Sequence, residues 1–348
     1  MTPVMPALLP ARRSEKETPL HHAILSPRRC ALIACLAAAV SATALAQTAP
    51  APYPAKPIRL IVPYPPGGAN DIIGRHVADQ MAERLGKPWV IDNRGGAGGL
   101  IGISTAANAQ PDGHTLLLVA VFFAISPAIH KLDYDPVKSF ERVAMIGTSS
   151  AVLAINPSLG INSVKELVAA AKAKPGQLSY GSAGVGSFSH FSAELLNSMA
   201  GIKTIHVPYK GAAASMLDVI AGRTTWLTGS PNQFLQHFKT GRLKPLATGG
   251  AKRMAILPEL PTISEAGVPG YVADNWWGIL APAKTPQAII QKLNAETDLV
   301  VKLPATRERL MAEGIEPASL TPQAFTQLIV TDIAKWRKVA KDADIRNE

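Results

Sequence analysis

The stretch PYPPGGANDIIGRHVADQM at residues 63–81 directly follows the apolar run IRLIV at residues 58–62. Such a short apolar run predicts a buried strand, whereas Ile73, Val77 and Met81 recur every four residues, as on the buried face of a helix. The prolines and paired glycines between them predict a tight turn. Strand, turn and helix in this order form the repeating unit of an α/β sheet.

The same alternation continues along the chain. Residues 89–92 and 115–121 have strand patterns, with a helical pattern between them at residues 100–109. A second series of short strands and helices runs from about residue 151 to residue 247, and helical patterns follow residue 286. We therefore expect an α/β protein with two similar halves, each a mostly parallel sheet flanked by helices, and C-terminal helices packed on the first half.

The N-terminal segment resembles a secretory signal peptide. Arg28 and Arg29 precede the apolar run ALIACLAAAVSATALA, which ends in an A-x-A cleavage pattern. We predict that residues 1–46 are removed and that the protein is periplasmic, by general or twin-arginine export. Both cysteines, Cys30 and Cys35, lie in this leader, so the mature chain is expected to lack disulfides and cysteine metal sites.

Composition argues against several classes of function. The net charge is +10, and the leader holds five Lys or Arg and two Asp or Glu, which leaves +7 for the mature chain. These charges are scattered and aromatic residues make up 5%, which argues against a nucleic-acid platform. The histidines follow no metal-binding spacing. We expect no metal and no cofactor.

The turn at Gly67 and Gly68 does not fit a nucleotide site. A Walker loop needs lysine and Ser or Thr after its second glycine, and a dinucleotide fingerprint needs glycines at i, i+2 and i+5. Neither this turn nor the second glycine cluster, NRGGAGGLIG at residues 93–102, has either spacing. A nucleotide is therefore rejected as the ligand.

The same turn suits a small carboxylate. The first turn of a helix leaves backbone N–H groups unpaired, and the helix dipole favours negative charge there. The amides of Gly68, Ala69 and Asn70 would supply such groups, with glycine permitting close approach. The alternative is that the glycines only form the turn and Asp71 caps the helix.

A second loop, YGSAGVGSFSHFSAELL at residues 180–196, repeats this pattern. A short strand again runs into glycine and serine residues and then a helix. Ser182, Ser187 and the amides of residues 183–186 could bind the ligand from the other side. Because open α/β sheets bind ligands at strand carboxyl ends, two such loops predict a cleft between the halves.

A hydrolase is the alternative from another class. Ser187 and His190 lie close in sequence, and an acid elsewhere could complete a triad. However, the sequence lacks a G-x-S-x-G elbow, and both side chains would project from one helical turn. We therefore expect a binding protein and no enzyme.

Several motifs together resemble one family, the Bug or tripartite tricarboxylate transporter substrate-binding proteins. They occur in family order and span essentially the whole mature chain. The motifs are IRLIVPYPPGGANDIIGR, VIDNRGGAGGLIG, PDGHTLLL, YDPVKSFERV, LSYGSAGVGSFSH, IHVPYKG, LPELPTISEAGVPGY, WWGILAPAKTP and the terminal KW.

The resemblance implies a two-lobe, Venus-flytrap fold. Residues 47–149 with 275–348 would form one lobe and residues 150–274 the other, with hinges near residues 148–151 and 274–278. The protein would capture a small carboxylate (an amino acid, a dicarboxylate or an aromatic acid) and deliver it to membrane permease subunits, acting as a monomer. An exported sensor that presents its ligand to a signalling kinase is the alternative within binding functions.

The resemblance also implies which residues bind the ligand. In the family the carboxylate is held by backbone amides and ordered waters from the two loops. The candidates carried over are Tyr64, Pro66, Gly67, Gly68, Ala69, Asn70, Asp71, Ser182, Ala183, Gly184, Ser187 and His190, and to these we add Phe123 and Thr228.

Aromatic residues raise the question of specificity. Phe122 and Phe123 follow the strand at residues 115–121, where family members commonly have small polar residues. With Trp226, Trp276 and Trp277 they indicate a pocket for an apolar or aromatic carboxylate, a pocket narrowed against larger acids, or core and hinge packing. Asp71, if it faces the cleft, could bind an amino group.

Overall fold

Two β-sheets with helices against their faces organise residues 53–346, the part of the chain that the computed structural model describes. The predicted signal peptide lies outside these residues. The strands are β1 (Ile58–Val62), β2 (Trp89–Asn93), β3 (Thr115–Ala120), β4 (Phe140–Ser150), β5 (Val152–Ile155), β6 (Ser179–Ser182), β7 (Ile205–Pro208), β8 (Trp226–Gly229), β9 (Lys244–Thr248), β10 (Asp274–Pro282) and β11 (Glu316–Pro317). The α-helices are α1 (Ala69–Leu85), α2 (Leu100–Ala107), α3 (Phe122–Ile125), α4 (Val164–Ala173), α5 (Phe188–Ala200), α6 (Ala212–Ile220), α7 (Pro231–Lys239), α8 (Gln287–Lys302), α9 (Pro304–Ala312) and α10 (Pro322–Asp342).

Both sheets are mixed. The first has the strand order β11-β4-β10-β3-β1-β2 and the second β7-β6-β8-β5-β9. Strands β1 to β3 and β6 to β8 pair in parallel, as βαβ units do, but β10 and β5 pair antiparallel with their neighbours. The expectation of mostly parallel sheets is corrected here. In each sheet, the strand that arrives from the other half of the chain is antiparallel to its βαβ neighbour: β10 pairs in this way with β3, and β5 with β8.

The chain crosses between the sheets at two adjacent places. Strand β4 ends at Ser150 and β5 begins two residues later, while β10 begins at Asp274, directly opposite Ser150. The Ser150 hydroxyl donates a hydrogen bond of 2.6 Å to the Asp274 carboxylate, and Ala151 N donates to Ala273 O at 3.3 Å. These crossings lie within or beside the predicted hinge segments, and the lobe boundaries themselves stay a prediction.

Proline and hydroxyl residues stand at the start of several helices. Pro304 and Pro322 are the first residues of α9 and α10, and Pro286 directly precedes α8. The missing N–H of proline costs nothing in the first helical turn. The Ser163 side chain caps α4 by accepting a hydrogen bond of 3.2 Å from Glu166 N.

The last helix, α10, packs against elements of both halves of the chain. The buried ring of Trp336 contacts Phe188 and Phe191 of α5 edge-on, with centroids 6.3 and 5.9 Å away. On the same helix, Phe325 packs at 5.4 Å against Trp276 of β10 in the first sheet. Helix α10 therefore joins the two halves, beyond the predicted packing on the first half alone. Among the described helices, none is both long and apolar enough to cross a membrane.

Candidate functional site

In the first loop, between β1 and α1, the side chain of Asp71 holds the turn in place. Gly67 has φ +86°, a left-handed conformation that favours glycine. The buried Asp71 carboxylate accepts hydrogen bonds from Gly67 N at 2.9 Å, Arg75 Nε at 2.9 Å and Asn93 Nδ2 at 2.8 Å. The Arg75 guanidinium, helped by these two donors, lowers the Asp71 pKa to about 2. Asp71 is therefore a carboxylate that fixes the turn.

The amides after this turn are left for another partner. Within residues 53–346, no hydrogen bond involves the backbone N–H of Gly68, Ala69 or Asn70. Gly68 and Ala69 are exposed, and they stand at the N-terminus of the 17-residue helix α1. The Asn70 side chain is held in place, since its Oδ1 accepts a hydrogen bond of 2.5 Å from Trp277 Nε1. The loop thus presents oriented donors where an anion is favoured.

The second loop, between β6 and α5, is held mainly by its own side chains. Ser187 caps α5 by accepting from His190 N at 3.2 Å, and its hydroxyl donates to Gly184 O at 2.7 Å. Ala183 N donates to Ser189 Oγ at 2.9 Å, and Gly186 N donates to His190 Nδ1 at 3.2 Å. Most donors of this loop are therefore already used. Within the described chain, the amide of the exposed Val185 has no hydrogen bond.

Two stacked imidazoles support the second loop from behind. The rings of His190 and His206 lie 3.8 Å apart and are 9° from parallel. Burial lowers the pKa of His190 to about 3, with the neighbouring His206 adding to the effect, and burial lowers that of His206 to about 4. Both rings are neutral near pH 7. His190 Nδ1 can therefore accept from Gly186 N, and His206 Nε2 lies 2.6 Å from Ser182 Oγ.

A cavity of about 450 Å³ lies between the two loops. One wall comes from the first half of the chain and the other from the loop before α5. Its lining residues are Pro63, Tyr64, Pro65, Gly96, Gly98, Gly99, Phe122, Val185, Gly186 and Ser187. The amides at the start of α1 belong to the same loop as Pro65 and follow it by three to five residues, outside the lining itself.

A larger cavity of about 710 Å³ lies elsewhere. It is formed by residues 127–139 together with Ile333 and Arg337 of α10. Neither glycine loop contributes to it. We regard the cavity between the loops as the candidate site because residues of both glycine loops line it.

The predicted site residues fall into three groups. Tyr64 and Ser187 line the cavity between the loops. The exposed first-loop residues continue beyond its wall, and they are Pro66, Gly67, Gly68 and Ala69, with Asn70 half-buried after them. Ala183 and Gly184 are half-buried in the second loop, while Ser182, His190 and Thr228 are buried behind it. Thr228 serves packing, because its hydroxyl donates to Ser189 O at 3.0 Å.

The aromatic predictions need one correction. The Phe123 ring lies in the core, 1% exposed, stacked on Tyr134 and edge-on to Phe140. Its neighbour Phe122 is half-buried and lines the cavity instead. The short helix α3 points these two adjacent side chains in different directions, so that only Phe122 lines the cavity. Trp226 and Trp276 are also buried in the core.

The second glycine cluster was not assigned to the site. Gly96, Gly98 and Gly99 line the cavity with positive φ values of 112°, 67° and 102°. A Cβ on Gly98 would lie 3.1 Å from the Phe122 ring, and one on Gly99 would lie 2.9 Å from Pro63 O. This dense run of glycines was the signal in the sequence that could have identified them, because glycine lets another group approach the backbone closely.

The chemistry of a hydrolase or metal site is not assembled here. Within residues 53–346, no hydrogen bond joins the Ser187 hydroxyl to the His190 ring, and that hydroxyl contacts the His190 amide instead. The other Ser–His pair, Ser182 with His206, is closed off because Ser182 is fully buried. A search of the described residues finds no cluster of three or more metal-binding side chains.

Comparison with known proteins identifies relatives across most of the chain. The TctC family model, described as the tripartite tricarboxylate transporter family receptor, matches residues 73–345. BugT of Bordetella pertussis is 34% identical over 296 residues, which is 83% of this chain and 90% of BugT.

Solved structures agree with this family. The periplasmic binding protein BugD has 30% sequence identity and a TM-score of 0.69, covering 85% of this chain and 100% of BugD. The R. palustris protein Rpa4515, solved with adipate, has 34% identity and a TM-score of 0.72, covering 85% of this chain and 100% of that protein. The predicted two-lobe α/β fold of periplasmic binding proteins is confirmed.

Proposed function

The chain belongs to the TctC family of tripartite tricarboxylate transporter receptors, and we propose that it captures a small carboxylate between its two glycine loops for uptake. The observation that carries this proposal is the set of unpaired, exposed amides at Gly68, Ala69 and Asn70. They stand at the start of a long helix, in a loop whose earlier residues form part of the cavity wall. Each contact of a carboxylate with such a helix end contributes about 0.3–2 kcal/mol.

The relatives support a carboxylate as the class of ligand. Rpa4515, which shares 34% of its sequence with this chain, was solved with adipate. Adipate presents carboxylates to its receptor, and the first loop here offers amide donors in place of a cationic side chain. Ordered water can complete such a site at little entropic cost.

Capture involves movement of the lobes about the paired hinge strands. The crossings lie side by side at Ser150 and Asp274, so rotation there changes the distance between the loops while each sheet stays intact. A ligand that contacts both loops binds the closed form more tightly and shifts the population toward it. The closed form would then be recognised by the membrane permease, and the predicted leader would place the receptor in the periplasm.

A thermal-shift screen of the exported protein tests this function. The panel contains amino acids, C4–C6 dicarboxylates, tricarboxylates, nicotinate, benzoate and hexanoate. A ligand at about 100 times its dissociation constant stabilises the fold by about 2.7 kcal/mol, a shift of several degrees for this chain length. A shift with carboxylates and none with their amides supports the proposal. Absence of any shift, with mass spectrometry showing an empty cleft, would contradict it.

Uptake by the permease needs a test in cells. Deletion of the gene should abolish accumulation of the radiolabelled carboxylate that gives the largest thermal shift, and expression of the intact chain should restore it. Uptake that continues unchanged in the deletion strain would separate ligand binding from transport.

A further inference from the structure

We propose that the cavity between the two loops selects a monocarboxylate with an apolar body over a dicarboxylate, and that Phe122 is the side chain responsible. This inference rests on the carboxylate function proposed above and names the ligand class of the same site. It follows from what the walls of the cavity contain, from how nearby cations are already paired, and from the position of the Phe122 ring.

The walls of the cavity carry no charged side chain. Tyr64, Phe122, Val185 and Ser187 line it together with prolines and glycines. In the described part of the chain, no Lys, Arg, Asp or Glu lines this cavity. A second carboxylate placed here would lose hydration without gaining a cation, which is unfavourable. An apolar group would gain from the same surroundings.

The arginines nearest to the first loop are already paired. Arg75 Nε lies 2.9 Å from Asp71, and Arg94 Nε lies 2.8 Å from Asp92. Asp92 also pairs with Arg59. Each of these guanidinium groups therefore already contacts a protein carboxylate, which reduces its attraction for a second carboxylate on a ligand. The first half of the site therefore supplies amide donors from its loop, while Arg75 and Arg94 are each bound to a protein carboxylate.

Lys210 is the cation beside the second loop. Its neighbours Tyr209 and Gly211 donate backbone hydrogen bonds to Ser182 O at 3.1 Å and to Ala183 O at 3.2 Å. Lys210 itself is exposed and does not line the cavity. Because its neighbours contact the second loop, Lys210 is included in the test as a cation that could bind a second carboxylate.

Phe122 is held where it can contact the body of a ligand. Its ring lies against the glycine loop, 3.1 Å from where a Cβ on Gly98 would be, and edge-on to His130 with centroids 6.1 Å apart. The ring is nevertheless only half-buried. Burial of apolar ligand surface against such a preplaced ring stabilises binding, because the protein loses little side-chain freedom.

A matched pair of ligands isolates the second charge. Hexanoate and adipate share a six-carbon chain, and adipate replaces the terminal methyl group with a carboxylate. We expect calorimetric titration of the exported protein to give a dissociation constant for hexanoate at least about tenfold lower than for adipate. Benzoate should also bind more tightly than adipate.

Two variants test the walls of the cavity. Phe122→Ala should weaken hexanoate and benzoate by about tenfold and change adipate by less than about twofold. Val185→Arg should strengthen adipate relative to hexanoate by about tenfold, because it places a cation at the cavity. The matched controls are Leu159→Ala and Val90→Arg, at side chains 45% and 54% exposed and away from the cavity. Lys210→Met should leave the preference unchanged.

Each outcome bears on a different claim. Hexanoate binding tighter than adipate, with the preference lost in Phe122→Ala and Val185→Arg but kept in the matched controls, supports the inference. Adipate binding as tightly as hexanoate, or adipate binding that depends on Lys210, overturns it while the carboxylate function stands. If thermal unfolding shows that Phe122→Ala is folded and the variant still prefers hexanoate, Phe122 does not determine the preference. Binding of none of the three acids overturns the inference, and the wider panel then decides the proposed function.

Discussion

Asp71 illustrates how a single residue can be assigned only from its contacts. The sequence allows it to cap a helix or to face the cleft and bind an amino group. In the structure its carboxylate is 3% exposed and accepts three hydrogen bonds from Gly67, Arg75 and Asn93. All of these donors belong to the protein, which favours a role in fixing the turn before α1.

Asp71→Asn should therefore destabilise the protein more than it changes specificity. We expect the free energy of unfolding to fall by about 1–3 kcal/mol, because an amide replaces a carboxylate that receives charge-assisted hydrogen bonds. Urea unfolding at pH 7 measures this, with the exposed Asp79→Asn as the matched control. A folded, equally stable variant that has lost about tenfold in affinity for amino acids only would instead place Asp71 in the ligand site.

The stacked pair His190 and His206 predicts acid sensitivity. Their pKa values, about 3 and about 4, lie below the ordinary value of 6.5, so the unfolded chain binds more protons than the folded chain between about pH 6.5 and pH 4. The stabilisation that the neutral pair contributes is therefore fully present above about pH 6.5, and it is lost as the pH falls toward the pKa values of the folded state. Each imidazole contributes up to about 1.4 kcal/mol per pH unit to this slope.

The comparison that checks this uses the double variant His190→Gln with His206→Gln. Urea unfolding between pH 7 and pH 4.5 should show a shallower loss of stability for the variant than for the parent protein. The titration of Asp71 does not interfere, because its pKa is lowered to about 2 and the stabilisation that it contributes is lost only below about pH 4. Equal slopes for the two proteins would contradict the buried, neutral state of the pair.

At the scale of elements, helix α10 connects the two halves. Trp336 is fully buried against Phe188 and Phe191 of α5. The same helix also packs Phe325 against Trp276 of β10. Trp336→Ala should cost about 3–5 kcal/mol of unfolding free energy, as for other large aromatic truncations in a core.

The control for this prediction lies on the same helix. Lys341→Ala changes an exposed position and should alter stability by less than about 0.5 kcal/mol. Denaturant unfolding of both variants gives the comparison. A Trp336→Ala cost as small as that of Lys341→Ala would mean that α10 is not part of the cooperative core.

The elements themselves were largely predictable from periodicity. The four-residue spacing of Ile73, Val77 and Met81 predicts α1, and all three side chains are buried. The second loop was likewise predicted as strand, glycine turn and helix. What periodicity could not give is the direction of β5 and β10, because strand direction depends on where the chain crosses between sheets.

The candidate site was only partly predictable for a similar reason. Tyr64 and Ser187 lie in the two loops that the sequence singled out, and both line the cavity. Phe122 and the glycines at 96, 98 and 99 come from segments far from either loop in sequence, so only folding brings them there. Local patterns identify loops that present free amides, whereas the walls of a cleft arise from tertiary contacts.

At the scale of the whole molecule, we propose that a ligand bound between the two loops draws the lobes together. In this proposal the backbone amides at the start of α1 hold the carboxylate. Ala69 offers a direct test, because it is the first residue of α1 and Gly68 before it is extended, with φ −82° and ψ 168°. Proline is tolerated at the first position of a helix after an extended residue, yet it removes the amide hydrogen.

The decisive measurement is calorimetric titration of Ala69→Pro with whichever of hexanoate and adipate binds the parent protein more tightly. We expect affinity to fall by about tenfold or more, since a hydrogen bond to a charged group contributes about 1.5–3 kcal/mol, while the unfolding free energy stays the same or rises. Gln287→Pro, at the start of the distant helix α8, is the matched control and should bind normally. Unchanged affinity in a folded Ala69→Pro variant would contradict the claim that the α1 amides bind the carboxylate.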